Sequence, residues 1–183
     1  MTGGAVVHLF DSVYRHPDIQ PIFNHHEQAS AFAAEAYSRI TRNIGAAFVT
    51  TGPGGTNAIT GVCGAWLDSI PCFYISGQTR LAHTTQNKPI RQFGTQQLDI
   101  ISLVKPITKY AVMIDDPKKI KYHLQKAAWL ARSGRPGPVW LDIPLDIQWQ
   151  QIVPKKLLSF NPPNRVVDKE ESRLQIEISK CLK

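Results

Sequence analysis

"FVTTGPGGTNAITGVCGAW", residues 48–66, decides the fold. It reads as strand, glycine loop and helix. Phe48 and Val49 belong to a short apolar run, "AAFVTT" (46–51). Gly52, Gly54 and Gly55 then let the backbone turn sharply and approach a ligand, and Pro53 stiffens the turn. Behind the loop, Ala58, Ile59, Val62, Ala65 and Trp66 make an inward stripe at helical spacing, while Gly61 and Gly64 admit a close neighbour. The loop alone does not name a ligand. A dinucleotide fingerprint needs a third glycine where Asn57 stands, and a phosphate loop needs a GK[ST] that is missing, so a tight structural turn and a cofactor contact both remain open.

The same alternation continues outward. "CFYIS" (72–76), "ITKYAVMI" (107–114) and "PVWLDI" (138–143) read as strands, and "AAFVTT", "CFYIS" and "PVWLDI" are the continuous apolar runs of a parallel sheet covered on both faces. In "DDPKKIKYHLQKAAWLARSGRPGP" (115–138), Asp116 caps a helix, Pro117 takes its first position, and Ile120, Leu124, Ala127, Ala128 and Ala131 form its stripe. Gly134 stops it. The chain is therefore a doubly wound α/β domain, with a mainly parallel sheet and helices on both faces.

Composition narrows the class. With 183 residues and 43% hydrophobic content the chain supports one full domain plus a tail. Cys63, Cys72 and Cys181 form no CxxC pair, which fits a reduced, cytoplasmic protein without disulfides or a metal knuckle. No apolar run approaches the roughly 20 residues of a membrane span. The net charge of +7 is spread, with only Lys118, Lys119, Lys121 and the Lys155–Lys156 pair clustered, so no nucleic-acid strip is read. The domain covers residues 1–150. "VPKKLLSFNPPNRVV" (153–167) has the content of a linker, and "ESRLQIEISKCLK" (171–183) that of the opening of an absent second domain. The start, "MTGGAVVHLF", lies in a Gly-Gly turn with no strand before it, as in a truncated domain.

"FNHHEQASAFAAEAYSRI" (23–40) carries the first candidate for chemistry. Ala29, Phe32, Ala33, Ala36, Tyr37 and Ile40 share one helix face, expected to pack inward, with Glu35 and Arg39 paired at i, i+4 on the other. Glu27 stands about 200° of rotation from the stripe, in the first turn. There it complements the helix dipole, or it serves a ligand at the carboxyl end of a preceding strand. His25 and His26 lack a third ligand at metal spacing, so no metal site is assigned.

Five blocks taken in order carry a resemblance: "TGGAVVHLFDSVY" (2–14), "HHEQASAFAAEAYSRIT" (25–41), "VTTGPGGTNAITGVCGAWLDSIPCFYISGQ" (49–78), "KPITKYA" (105–111) and "SGRPGPVWLDIPLDIQ" (133–148). Residues 1 to about 150 resemble the pyrimidine-binding domain of acetolactate synthase-like thiamine diphosphate enzymes. The resemblance implies the thiamine diphosphate-binding fold and a carboligase or decarboxylase acting on 2-keto acids. Glu27 matches the glutamate that hydrogen-bonds the cofactor's aminopyrimidine ring nitrogen, favouring the imino tautomer that removes the thiazolium proton. Pro53, Gly54 and Asn57 match the loop lining the pyrimidine pocket, Gly4 the glycine facing the reacting carbon, and Gln96 the glutamine beside the substrate.

Three departures accompany these matches. The family's YPGGA is Met1-Thr2-Gly3-Gly4-Ala5, its FQE is Thr95-Gln96-Gln97, and the lysine of its PKDV is Leu145. The resemblance also implies that magnesium and the diphosphate are held by a later domain, of a partner subunit in a homodimer or tetramer, so that this chain alone is inactive; it leaves FAD open as a further cofactor. A non-catalytic dimerisation module derived from the same domain is the alternative. A nicotinamide-dependent dehydrogenase rests on the glycine loop and fold class only, and fails because Asn57 replaces the third glycine and no convincing ribose-binding acid follows.

Overall fold

The computed structural model describes residues 3–86, 88–163 and 179–180. Four parallel strands, β1 (Gly45–Val49), β2 (Cys72–Gln78), β3 (Tyr110–Met113) and β4 (Val139–Pro144), lie in the order β1-β2-β4-β3. Both central strands are buried along their whole length, as continuous apolar runs require when both faces are covered. The register sets Tyr74 beside Trp140 and Ser76 beside Asp142.

Side chains alternate between two cores. On one face, Tyr74 and Trp140 stack at 5.6 Å beneath α2 (Glu27–Thr41), α3 (Pro53–Leu67) and α4 (Ile100–Val104). On the other, Phe73, Ile75, Val139 and Leu141 meet Ala127 and Ala131 of α5 (Ile120–Arg132), with Leu9 of α1 (Val7–Arg15) and Ile147 of α6 (Leu145–Gln148) closing the end. The doubly wound reading of the sequence holds.

Local chemistry moves several boundaries. Pro106 sits in a 3₁₀ turn, Lys105–Ile107, that prolongs α4, so the expected strand 107–114 shortens to β3. Pro117 begins a 3₁₀ turn rather than an α-helix, with Asp116 accepting from the Lys118 N–H at 2.9 Å, and α5 starts at Ile120. Gly134 takes a positive φ of 58°, the turn that follows α5. The helix α1 was not foreseen. Trp66, expected inside, is 38% exposed.

The largest difference concerns α2. The face turned to the sheet carries Glu27, Ala31, Ala34, Glu35 and Ser38, and all six residues of the expected apolar stripe, Ala29, Phe32, Ala33, Ala36, Tyr37 and Ile40, are exposed. Close approach explains the choice. A Cβ on Gly61 would stand 2.5 Å from the Ala31 Cβ, and one on Gly45 would run into the Ala34 carbonyl, so only small residues fit between α2, α3 and β1. Ser38 suits this seam, its hydroxyl accepting from the Gly45 N–H at 2.7 Å and lying 2.8 Å from the Pro71 carbonyl. Glu35 and Arg39 pair as expected, and Arg39 also reaches Asp68.

The segment read as a linker returns to the domain at its start. Phe160 packs edge-on to Tyr122 and against Trp129 of α5, and its N–H donates to Gln125 Oε1 at 2.9 Å. The expected opening of a second domain, 171–183, falls almost wholly outside the described residues.

Candidate functional site

A cavity of about 590 Å³ opens at the carboxyl ends of β1 and β2, where α2 and α3 begin. Gly4, Glu27, Pro53, Gly54, Asn57 and Gln96, scattered over 93 positions of sequence from 4 to 96, all line it.

Glu27 is the first residue of α2 and is only 4% exposed. The Asn57 amide, on the first turns of α3, donates to Glu27 Oε2 at 3.0 Å. Toward Oε1 lies Gly54, where an added Cβ would stand 3.4 Å from that oxygen and 2.5 Å from Thr50 Cγ2. The missing side chain keeps the approach to the carboxylate open. Among the described residues no cation pairs with Glu27, and it is the one acid on the cavity wall. The preceding His26 has a capping duty, its Nδ1 accepting from the Gln28 N–H at 3.1 Å.

The other walls come from loops. Gly4 has open space where a Cβ would project, whereas Gly3 is pressed against the Thr50 side chain. Of that pair, Gly4 faces the cavity without packing demands. Gln96 adopts φ 55°, rare for a residue with a side chain, and its carbonyl accepts from Thr51 Oγ1 at 3.2 Å. Gly52, at φ 61°, leaves room for that carbonyl, which a Cβ would meet at 2.5 Å. Thr95 and Leu145, two of the departures noted in the sequence, also line the cavity.

Sequence reasoning missed Thr51, Gln78, Thr79, Arg80 and His83 on the same wall. Arg80 is the wall's one permanent cation, its guanidinium lying 5.3 Å from the centre of the Trp149 ring. Only its place just past the end of an apolar strand could have signalled it.

Beneath the wall, Asp142 is 1% exposed, and burial raises its carboxyl to about pH 7 from 3.8, while hydrogen bonds from Ser76 and Gln78 oppose the rise. The folded state therefore holds a proton that the unfolded chain releases above about pH 4. Stability from this group is present at low pH and lost as pH rises toward about 7, on the order of 4 kcal/mol in all. Urea midpoints measured from pH 4 to 8 should show this slope in the parent and lose it in Asp142→Asn.

The chain belongs to the thiamine pyrophosphate enzymes: residues 1–103 match the family described as "Thiamine pyrophosphate enzyme, N-terminal TPP binding domain". Its relatives are acetolactate synthases. It is 38% identical over 170 residues to the acetolactate synthase large subunit of Buchnera aphidicola subsp. Schizaphis graminum, covering 89% of this chain and 29% of the relative. With the isozyme 3 large subunit of Escherichia coli identity is 39% over 145 residues, 79% of this chain and 24% of the relative. With the large subunit of Lactococcus lactis it is 34% over 182 residues, 97% and 31%. The chain thus spans about a quarter to a third of the length of these relatives. No helix among the described residues is long and apolar enough to cross a membrane.

Proposed function

We propose that this chain supplies the pyrimidine half of the active site of an acetolactate synthase-like enzyme that decarboxylates and condenses 2-keto acids. The observation that carries the reading is Glu27, a buried carboxylate without a cationic partner among the described residues, turned to a cavity beside a glycine that leaves it reachable. A carboxylate so placed fits an aminopyrimidine ring nitrogen. Glu27 would hold the shared proton at that nitrogen, Asn57 fixes Glu27 Oε2, and Pro53 and Gly54, which line the cavity beside it, would hold the ring. Bound thiamine diphosphate supplies the carbon chemistry itself. Magnesium and the diphosphate belong to another domain of the assembled enzyme, and the setting is the reducing cytoplasm.

On the substrate side stand Gly4, Gln96 and Arg80. A 2-keto acid brings a carboxylate, and Arg80 is the cation on the wall that can receive it, held in place by Trp149. Arg80→Gln in the whole enzyme should raise KM for pyruvate about 10- to 100-fold, the equivalent of one charge-assisted hydrogen bond, with a smaller change for an uncharged aldehyde acceptor. Arg80→Lys, which lacks the planar fork, should recover only part of the loss. Equal losses for both substrates would remove Arg80 from this role.

The assembly proposed is a homodimer or a tetramer built on it. The exposed face of α2, with Phe32, Tyr37 and Ile40, supports it, because apolar helix faces of this kind mark protein contacts. A non-catalytic module would use that face equally but has no need of a cavity around a buried acid. The deciding assay is carbon dioxide release from pyruvate by the whole protein with thiamine diphosphate and magnesium; absence of both release and cofactor binding would overturn the reading.

A further inference from the structure

One buried side chain gathers four chain segments at the cavity wall. Gln78, at the end of β2 and 2% exposed, uses all of its hydrogen-bonding positions. Its amide nitrogen donates to the Leu98 carbonyl at 2.9 Å and to Asp142 Oδ2 at 3.0 Å. Its oxygen accepts from Thr51 Oγ1 at 2.8 Å and from the Thr79 N–H at 3.0 Å. The end of β1, the end of β2, the 96–98 segment and β4 thereby meet on one amide.

The polarity of this amide has one solution. Reversed, its oxygen would face the Leu98 carbonyl and the Asp142 oxygen, and its NH₂ would face the Thr79 N–H. Asp142 enforces the orientation from below, and is itself held by the Ser76 hydroxyl at 2.6 Å, which in turn accepts from Trp140 Nε1 at 2.8 Å. Asp142 Oδ2 accepts from Gln78 whether or not Oδ1 carries a proton, so the link survives titration. The Thr51 hydroxyl has a single hydrogen, shared between Gln78 Oε1 at 2.8 Å and the Gln96 carbonyl at 3.2 Å, and through it the chain runs out to Gln96, a residue whose left-handed backbone persists only where its surroundings over-determine it. A buried carboxyl here is costly, and an apolar residue of similar size would serve packing better. The cost has a purpose if the carboxyl orients something.

We infer that Asp142, acting through Gln78, is a positioning residue for the substrate side of the cavity, fixing Thr51, Thr79 and the strained Gln96. The assignment of that side to substrate rests on the function proposed above; the linkage itself does not.

The test uses the whole protein and three variants. Asp142→Leu removes the acceptor, Gln78→Met removes the amide while keeping its length should Asp142→Leu fail to fold, and Asp142→Asn keeps an oxygen for Gln78 and an NH₂ for Ser76. Amide hydrogen exchange should quicken at least 10-fold across residues 94–98 in Gln78→Met and Asp142→Leu, with α5 unchanged. KM for pyruvate should rise about 10-fold or more, with kcat and thiamine diphosphate affinity near the parent's. Asp142→Asn should restore both readouts. Unchanged exchange at 94–98 in folded Gln78→Met, or Asp142→Asn as impaired as Asp142→Leu, overturns the inference. Should the parent not consume 2-keto acids, the functional reading falls while exchange still decides the positioning.

Discussion

Replacing Glu27 by Gln should lower turnover of the whole enzyme by about 10²- to 10⁴-fold, the range ascribed to a positioned proton-transferring group. It should leave the fold intact. Gln has the length and shape of Glu and retains an oxygen for the Asn57 amide, so the 3.0 Å contact survives. No ion pair is broken, because among the described residues none involves Glu27. The expected structural loss is the interaction of an acid with the N-terminus of α2, about 0.3 to 1 kcal/mol, or a few degrees in Tm at most. What Gln cannot do is hold a proton for a ring nitrogen. Activity and stability should therefore separate, and carbon dioxide release beside a thermal melt reads both. Undiminished release in Glu27→Gln would sink the proposed role of this residue.

The sequence made much of this legible, for physical reasons. Strands buried on both faces must be apolar throughout, so β2 and β4 announce themselves as "CFYIS" and "PVWLDI". A loop in which Gly54 abuts Glu27 and Gly52 abuts Gln96 has to spell its glycines, and Asn57, the residue that breaks the dinucleotide pattern, is the one that holds Glu27. Arg80 and Gln78 stayed hidden because their significance is positional. Nothing in "SGQTRL" (76–81) distinguishes an arginine at a cavity rim, or an amide with four partners, from ordinary residues past a strand. The face of α2 was misassigned for a related reason. Periodicity reports that one side of a helix is apolar, and small residues that pack closely, such as Ala31 and Ala34 against Gly61 and Gly45, are poorer in hydropathy than the large ones left outside.

That outer face yields the second large effect. Tyr37 is 52% and Ile40 83% exposed, one turn apart on the same side of α2, with Phe32 at 43% beside them. Burial of what these two side chains still expose contributes roughly 2 to 4 kcal/mol to an association that covers them. Placing glutamates there removes that gain and adds carboxylates that must lose their water. Tyr37→Glu combined with Ile40→Glu should therefore weaken self-association of the whole enzyme by at least about 10²-fold, seen as a shift to monomer in sedimentation velocity. The fold of each chain should hold, since neither residue belongs to either buried core. Glu27 stands at the start of the same helix, on the face turned to the cavity. If a second copy covers the outer face and brings the diphosphate-binding domain to that cavity, dissociation and loss of turnover should follow the same concentration dependence, and activity should return as protein concentration rises. A double variant that remains fully associated would place the assembly surface elsewhere, and one that dissociates yet keeps full turnover would show that the site is complete within one chain.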